Sequence, residues 1–146
     1  MSTTHDIPTL VTGTPIRAAE RLPVWKHGVA AAVAAAVTTT VLAAGASAAG
    51  VSFADSTGAS IPIAGFTQLT LVLSLIGVGI AAVMARTALR PRRTFVRTAL
   101  ALIALSFVPD LTFGFDPASA ATLIGLHIVA AVIVVPTLTG RLARTR

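Results

Sequence analysis

The sequence predicts an all-α fold, a transmembrane four-helix bundle with the N-terminus and C-terminus cytoplasmic, and three observations predict it. Hydrophobic residues make up 55% of the 146-residue chain and charged residues only 11%, with a mean hydropathy of +0.88. Soluble domains carry roughly 25% charged residues, so the composition is that of a membrane protein. The apolar stretches are long enough for crossings of about 20 residues each. The eleven basic residues fall in three groups. Arg17, Arg21 and Lys26 precede the first stretch, Arg86, Arg90, Arg92, Arg93 and Arg97 lie between the second and third, and Arg141, Arg144 and Arg146 follow the fourth. Only an even number of crossings places all three groups on one face, as the positive-inside bias requires.

Residues 1–26 mix Thr, Pro, Gly and charge without apolar periodicity, which predicts a flexible cytoplasmic tail. The membrane domain is expected over 27–140. Its first span, about 28–49, is rich in Ala and Val and carries Thr38, Thr39 and Thr40 in its middle. A basic leader followed by an apolar segment and Ala46-Ser47-Ala48 also describes a secretory signal peptide. The long leader, and an apolar run exceeding the ~7 to 15 residues of a signal core, favour a retained helix. Asp55 to Pro62 is a polar turn, and the second span, about 62–85, is the strongest helix, with Leu69 to Ile76 its most apolar part.

The third span is the weak one. Its charge-free run, Thr98 to Pro109, covers little more than half of a ~30 Å core at about 1.5 Å per residue, and alone it reads as re-entrant. A crossing over 95–115 works if Arg97 snorkels to one interface and Asp110 sits near the other. Parity requires it, since otherwise Arg141, Arg144 and Arg146 would lie opposite the five-arginine loop. Asp116 and Pro117 then turn the chain into a fourth span, about 118–138, with Pro136 able to bend its inner end, and 141–146 is a basic cytoplasmic tail. Small residues mark contact faces on the second span. Gly65, Gln68, Gly79 and Ala82 lie on one side at about 100° per residue, and Thr70, Gly77 and Ala81 on the other.

Several function classes are excluded. Without cysteine there is no disulfide, thiolate metal site, iron–sulfur cluster or thioether haem link. No catalytic signature such as H-E-x-x-H, G-x-S-x-G or a phosphate loop occurs, and His5, His27 and His127 are too scattered for a metal site. Neither an enzyme nor a cofactor is expected. The basic residues flank apolar spans without interleaved aromatics, so lipid, rather than nucleic acid, is the expected counterpart. Arg86, Arg90, Arg92, Arg93 and Arg97 read as a clamp for anionic headgroups on the cytoplasmic side.

The polar candidates inside the membrane are His127, Gln68 and Asp110. His127 is the only ionisable residue near a span's midpoint. It reads first as a neutral histidine bonded to a hydroxyl or carbonyl of a neighbouring helix, with Gln68 or Thr38 to Thr40 at suitable depth. Its sharper reading is a proton relay or ligand contact, although no second intramembrane acid or base is expected beside it. Asp110 reads as a marker of the water interface, with a cation or substrate contact as its alternative.

Arg90-Pro91-Arg92-Arg93-Thr94, the Leu105 to Pro109 segment, and Leu126-His127-Ile128-Val129-Ala130 running to Pro136 together resemble a family of small actinobacterial four-helix membrane proteins of unknown function. The resemblance covers the chain from about Lys26 onward. It implies the four-span architecture in a bacterial inner membrane and no site residues. The expected function is a non-enzymatic membrane component that packs against itself, as a homo-oligomer, or against a partner membrane protein. The alternative is a small oligomeric transporter or channel using His127.

Overall fold

A computed structural model describes residues 24–142, which form four helices: α1 (Val24–Ala48), α2 (Ile63–Thr87), α3 (Pro91–Thr112) and α4 (Pro117–Leu142). All four are long and apolar enough to cross a membrane. Arg17, Arg21, Arg144 and Arg146 lie outside the described residues, as do most of the N-terminal tail and the last four residues of the C-terminal one. α1 takes up Trp25, Lys26 and His27, which the sequence assigns to the tail or its border, and α4 runs through Pro136 to Leu142.

α3 is a full helix and starts earlier than its charge-free run suggests. Pro91 occupies the first helical position, where its fixed φ suits the helix and its missing N–H costs nothing. Thr94 N–H donates to the Arg90 carbonyl at 3.1 Å, closing the first turn. Arg92, Arg93 and Arg97 therefore belong to the opening turns of α3 rather than to a loop. The lysine, the histidine at 27 and every described arginine gather where α1 and α3 begin and α2 and α4 end. We refer to this as the basic end and to the opposite one as the turn end.

α1 packs against α2 and α4, α3 against α4 and less closely against α2, and α1 does not meet α3. Ala31, Ala32, Ala35, Ala36 and Ala43 bury one face of α1. With no large side chains between them, the backbones come close, which is how helices associate where lipid offers no hydrophobic drive. At Gly28 an added Cβ would stand 2.7 Å from both Val78 methyls and 3.2 Å from Leu138 Cδ2, so glycine permits this three-helix junction. Hydroxyl pairs tie α1 to α2 higher up, Thr39 Oγ1 donating to Thr70 Oγ1 at 3.1 Å and Thr40 Oγ1 lying 2.6 Å from Thr67 Oγ1.

Two apolar clusters fill the bundle. Phe95, Val134, Leu138 and Leu142 belong to the one toward the basic end. Ala43, Phe53, Phe66, Leu123 and Leu126 form the one toward the turn end. Phe53 comes from the α1–α2 loop, 1% exposed and with a left-handed φ of 51°, a conformation a non-glycine side chain adopts only when held. Its ring packs edge-on against Phe66 at 4.9 Å, and its N–H donates to Ser119 Oγ at 3.1 Å. Ser119 Oγ donates in turn to Asp116 Oδ2 at 2.6 Å, and Ser52 Oγ reaches the same oxygen at 3.3 Å. The loop is thus hooked onto the first turn of α4.

Candidate functional site

α3 ends at Thr112, and residues 113–116 lead on to Pro117. An extended residue spans about 3.3 Å, so this connection can climb roughly 13 Å between the end of α3 and the start of α4. Asp110 consequently lies level with residues well inside α4, on the first helix turn below Phe107 and Ser106. It is buried, 6% exposed, and its Oδ2 stands 3.1 Å from His127 Nδ1. His127 is ten residues into α4, about 15 Å along its axis. Asp110 is therefore buried within the bundle, and His127 has a second ionisable group beside it, which the sequence did not lead one to expect.

The partners expected for His127 are engaged elsewhere. Thr39 and Thr40 bond to α2, and Gln68 is exposed on α2 with no contact to the pair. His127 Nδ1 instead lies 3.0 Å from the carbonyl of Leu123, one turn back on its own helix. A carbonyl only accepts, so Nδ1 carries the hydrogen. Asp110 Oδ2 is close to the same nitrogen but off the N–H direction, which leaves it at ion-pair distance without a well-formed hydrogen bond. The Phe107 ring meets the imidazole edge-on, centroids 6.2 Å apart.

With Nδ1 committed, Nε2 is the free nitrogen and makes no hydrogen bond. The His127 side chain is 34% exposed, against 7% for Asp110, and it borders a groove of about 430 Å³ between α2, α3 and α4. Leu73, Ile80, Leu102, Ile103 and Val135 supply much of its apolar wall, and Ser106 is spent on the Ile103 carbonyl at 2.7 Å. The groove exists because α3 leans on α4 and only loosely on α2.

Among the described residues, the two remaining carboxylates sit in the turn-end loops. Asp116 is held below the usual carboxylate range first by the Ser119 hydroxyl, then by backbone N–H groups of Ser119 and Ala118 and by Ser52. Asp55 is lowered in the same way by the Thr57 hydroxyl at 2.6 Å and by the N–H groups of Thr57 and Ala59. Both act as turn and cap acceptors. Arg86, Arg90, Arg92, Arg93 and Arg97 are exposed at the basic end, Arg86 in the last turn of α2 and Arg90 immediately before α3. Among the described residues no cluster of His, Cys, Asp and Glu has the composition of a metal site.

One signal in the sequence could have found the pair. Asp110 follows Ser106 by four residues and Phe107 by three, so it shares the helix face that turns toward α4, and only its assumed depth spoke against burial.

Residues 19–144 match a family of unknown function, DUF6069. The chain belongs to this family. No curated protein and no solved structure matches it. For DUF6069 the chain supplies a four-helix architecture with an Asp–His pair between its last two helices, and the family brings no activity to it.

Proposed function

We propose that this DUF6069 chain is a non-enzymatic, multi-pass component of a bacterial cell membrane, with both ends cytoplasmic, that acts by packing its α2–α3 face against a second copy or a partner membrane protein. The observation that carries this reading is the free Nε2 of His127 at an open groove. In hydrocarbon an unsatisfied polar nitrogen is costly, and such residues normally face protein or a water-filled cavity. A second helix laid over the groove supplies that environment. An added Cβ at Gly77, which lines the groove, meets nothing within 4 Å, so this side of α2 offers close approach to another helix. The one-sided arginines favour the cytoplasmic placement of both ends, and the exposed cluster from Arg86 to Arg97 suits anionic headgroups at about 1 kcal/mol per residue.

The absence of cysteine makes the test direct. Single cysteines at Leu102, Ile76 and Gly77, all lining the groove, should give disulfide- or bismaleimide-linked adducts in native membranes, while one at Leu111, outside the groove, should not. A single-chain particle with no adduct at any of the three groove positions would refute the packing reading.

A second reading, a small oligomeric transporter using His127, gains from Asp110 because the pair supplies the two ionisable groups that proton coupling needs. In that case His127→Ala abolishes pH-gradient-dependent flux in liposomes at unchanged folded yield. Unaltered flux excludes it.

A further inference from the structure

We infer that His127 and Asp110 form an intramembrane proton-binding site whose proton is exchanged at His127 Nε2 with water admitted to the α2–α3–α4 groove, rather than arriving from either end of the bundle. The Leu123 carbonyl takes the Nδ1 hydrogen, Asp110 Oδ2 stands beside the same nitrogen at ion-pair distance, and the free lone pair of the neutral ring is on Nε2. A proton added there makes an imidazolium 3.1 Å from a buried carboxylate, a unit with no net charge. Its release leaves one buried negative charge with no other cation in reach. That contrast gives the pair two states with different demands on the groove. With the proton bound, the groove meets an N–H donor. After release it meets an acceptor beside a negative charge.

No other charge disturbs this reading. Among the described residues α1 carries Lys26 and His27, α2 carries Arg86, α3 carries Arg92, Arg93 and Arg97, and α4 carries Arg141, all toward the basic end. The nearest along α3, Arg97, is about 20 Å from Asp110 at 1.5 Å per residue. Asp55 and Asp116 belong to the turn-end loops. Toward the turn end, Phe53, Phe66, Leu123 and Leu126 form an apolar layer. Toward the basic end, Phe95, Val134, Leu138 and Leu142 form another. The groove is the remaining way in, and His127 is part of its wall.

The site stands apart from the packing reading, because proton binding is read spectroscopically on the ring while association is read by crosslinking. The test is solid-state NMR of ¹⁵N-histidine-labelled protein in lipid bilayers, with His5 and His27 replaced by Gln. In the neutral form Nδ1 should carry the hydrogen and Nε2 none, and on acidification Nε2 should gain it reversibly. The ¹³C signal of the Asp110 carboxyl should move in step with the ring. Magnetisation transfer from mobile water should reach the His127 ring. His127→Gln should bind about one proton fewer per chain over the pH interval in which the wild-type ring signals change. The inference is overturned by hydrogen on Nε2 in the neutral ring, by a ring that never protonates while the chain stays folded, or by a ring that takes no magnetisation from water. An Asp110 carboxyl that ignores the ring removes it from the site. The wild-type tautomer decides the geometry even where a variant fails to fold.

Discussion

Replacing Gly28 by Ala places one methyl into the α1–α2–α4 junction, and its effect can be worked from the distances around it. The new Cβ would sit 2.7 Å from both γ-methyls of Val78 and 3.2 Å from Leu138 Cδ2, where carbon atoms prefer about 3.5 to 4.0 Å. Relief requires α1 to withdraw by about 0.8 Å or more, because the Val78 methyls sit on a stiff, β-branched side chain. Overpacking of this kind costs about 1–3 kcal/mol. Ala also favours a helix over Gly by about 1 kcal/mol, which masks part of the loss. Gly45→Ala on the same helix isolates the difference, since nothing stands within 4 Å of its added Cβ. The stability of the Gly28 variant should therefore fall below that of the Gly45 variant by about 1–3 kcal/mol, a factor of roughly 5 to 150 in the folded-to-unfolded ratio. Reversible unfolding in mixed micelles can be followed by circular dichroism and by the single tryptophan, Trp25, three residues away. Equal stability of the two variants, or a more stable Gly28 variant, would refute the close junction and with it the packing of α1 against α2 and α4.

Ser119→Ala removes the acceptor of the Phe53 N–H and should destabilise the protein by about 1–3 kcal/mol, the cost of a buried unsatisfied donor, measured in the same unfolding assay. Asp116 and Asp55 have lowered carboxylate values in the folded chain, so their contribution is complete above the usual value near 3.8 and fades as pH falls through the lowered ones. Limited proteolysis of the 49–62 loop should then accelerate below about pH 4, and Asp116→Asn should flatten that dependence. A tag fused ahead of Met1 should stay on the membrane-embedded protein, since α1 provides a buried face of the bundle. Its loss during export would restore the signal-peptide explanation. Reporter fusions after Ala54 and Asp116 should be active only outside the cytoplasm, and those after Arg93 and Arg146 only inside.

The architecture was legible because it follows from additive properties. Apolar length gave three helices, and the parity of the arginine groups supplied the fourth, which hydropathy alone leaves short. What the sequence conceals is relative depth. Asp110 lies near the end of α3, and sequence order equates a helix end with the membrane surface. The climbing connection at 113–116 breaks that equation and sinks the carboxylate beside His127. Helical phase likewise tells which residues share a face but not which helix that face meets. Thr39 and Thr40 matched His127 in depth, yet they bond to Thr70 and Thr67 on α2. Pro91 misled in another way, since an Arg-Pro-Arg-Arg run reads as a loop until proline is seen as the first residue of a helix.

The closer packing of α3 against α4 than against α2 bears on how the chain enters the bilayer. During synthesis α1 and α2 emerge first and can pair at once through their threonines and alanines. α3 follows with the lowest hydropathy of the four and an aspartate whose partner is still inside the ribosome. Until His127 emerges, that carboxylate has nothing to meet in lipid, so α3 and α4 are best inserted together, as a hairpin closed by its own acid and base. The Asp–His contact would then be a condition of assembly before it is anything else.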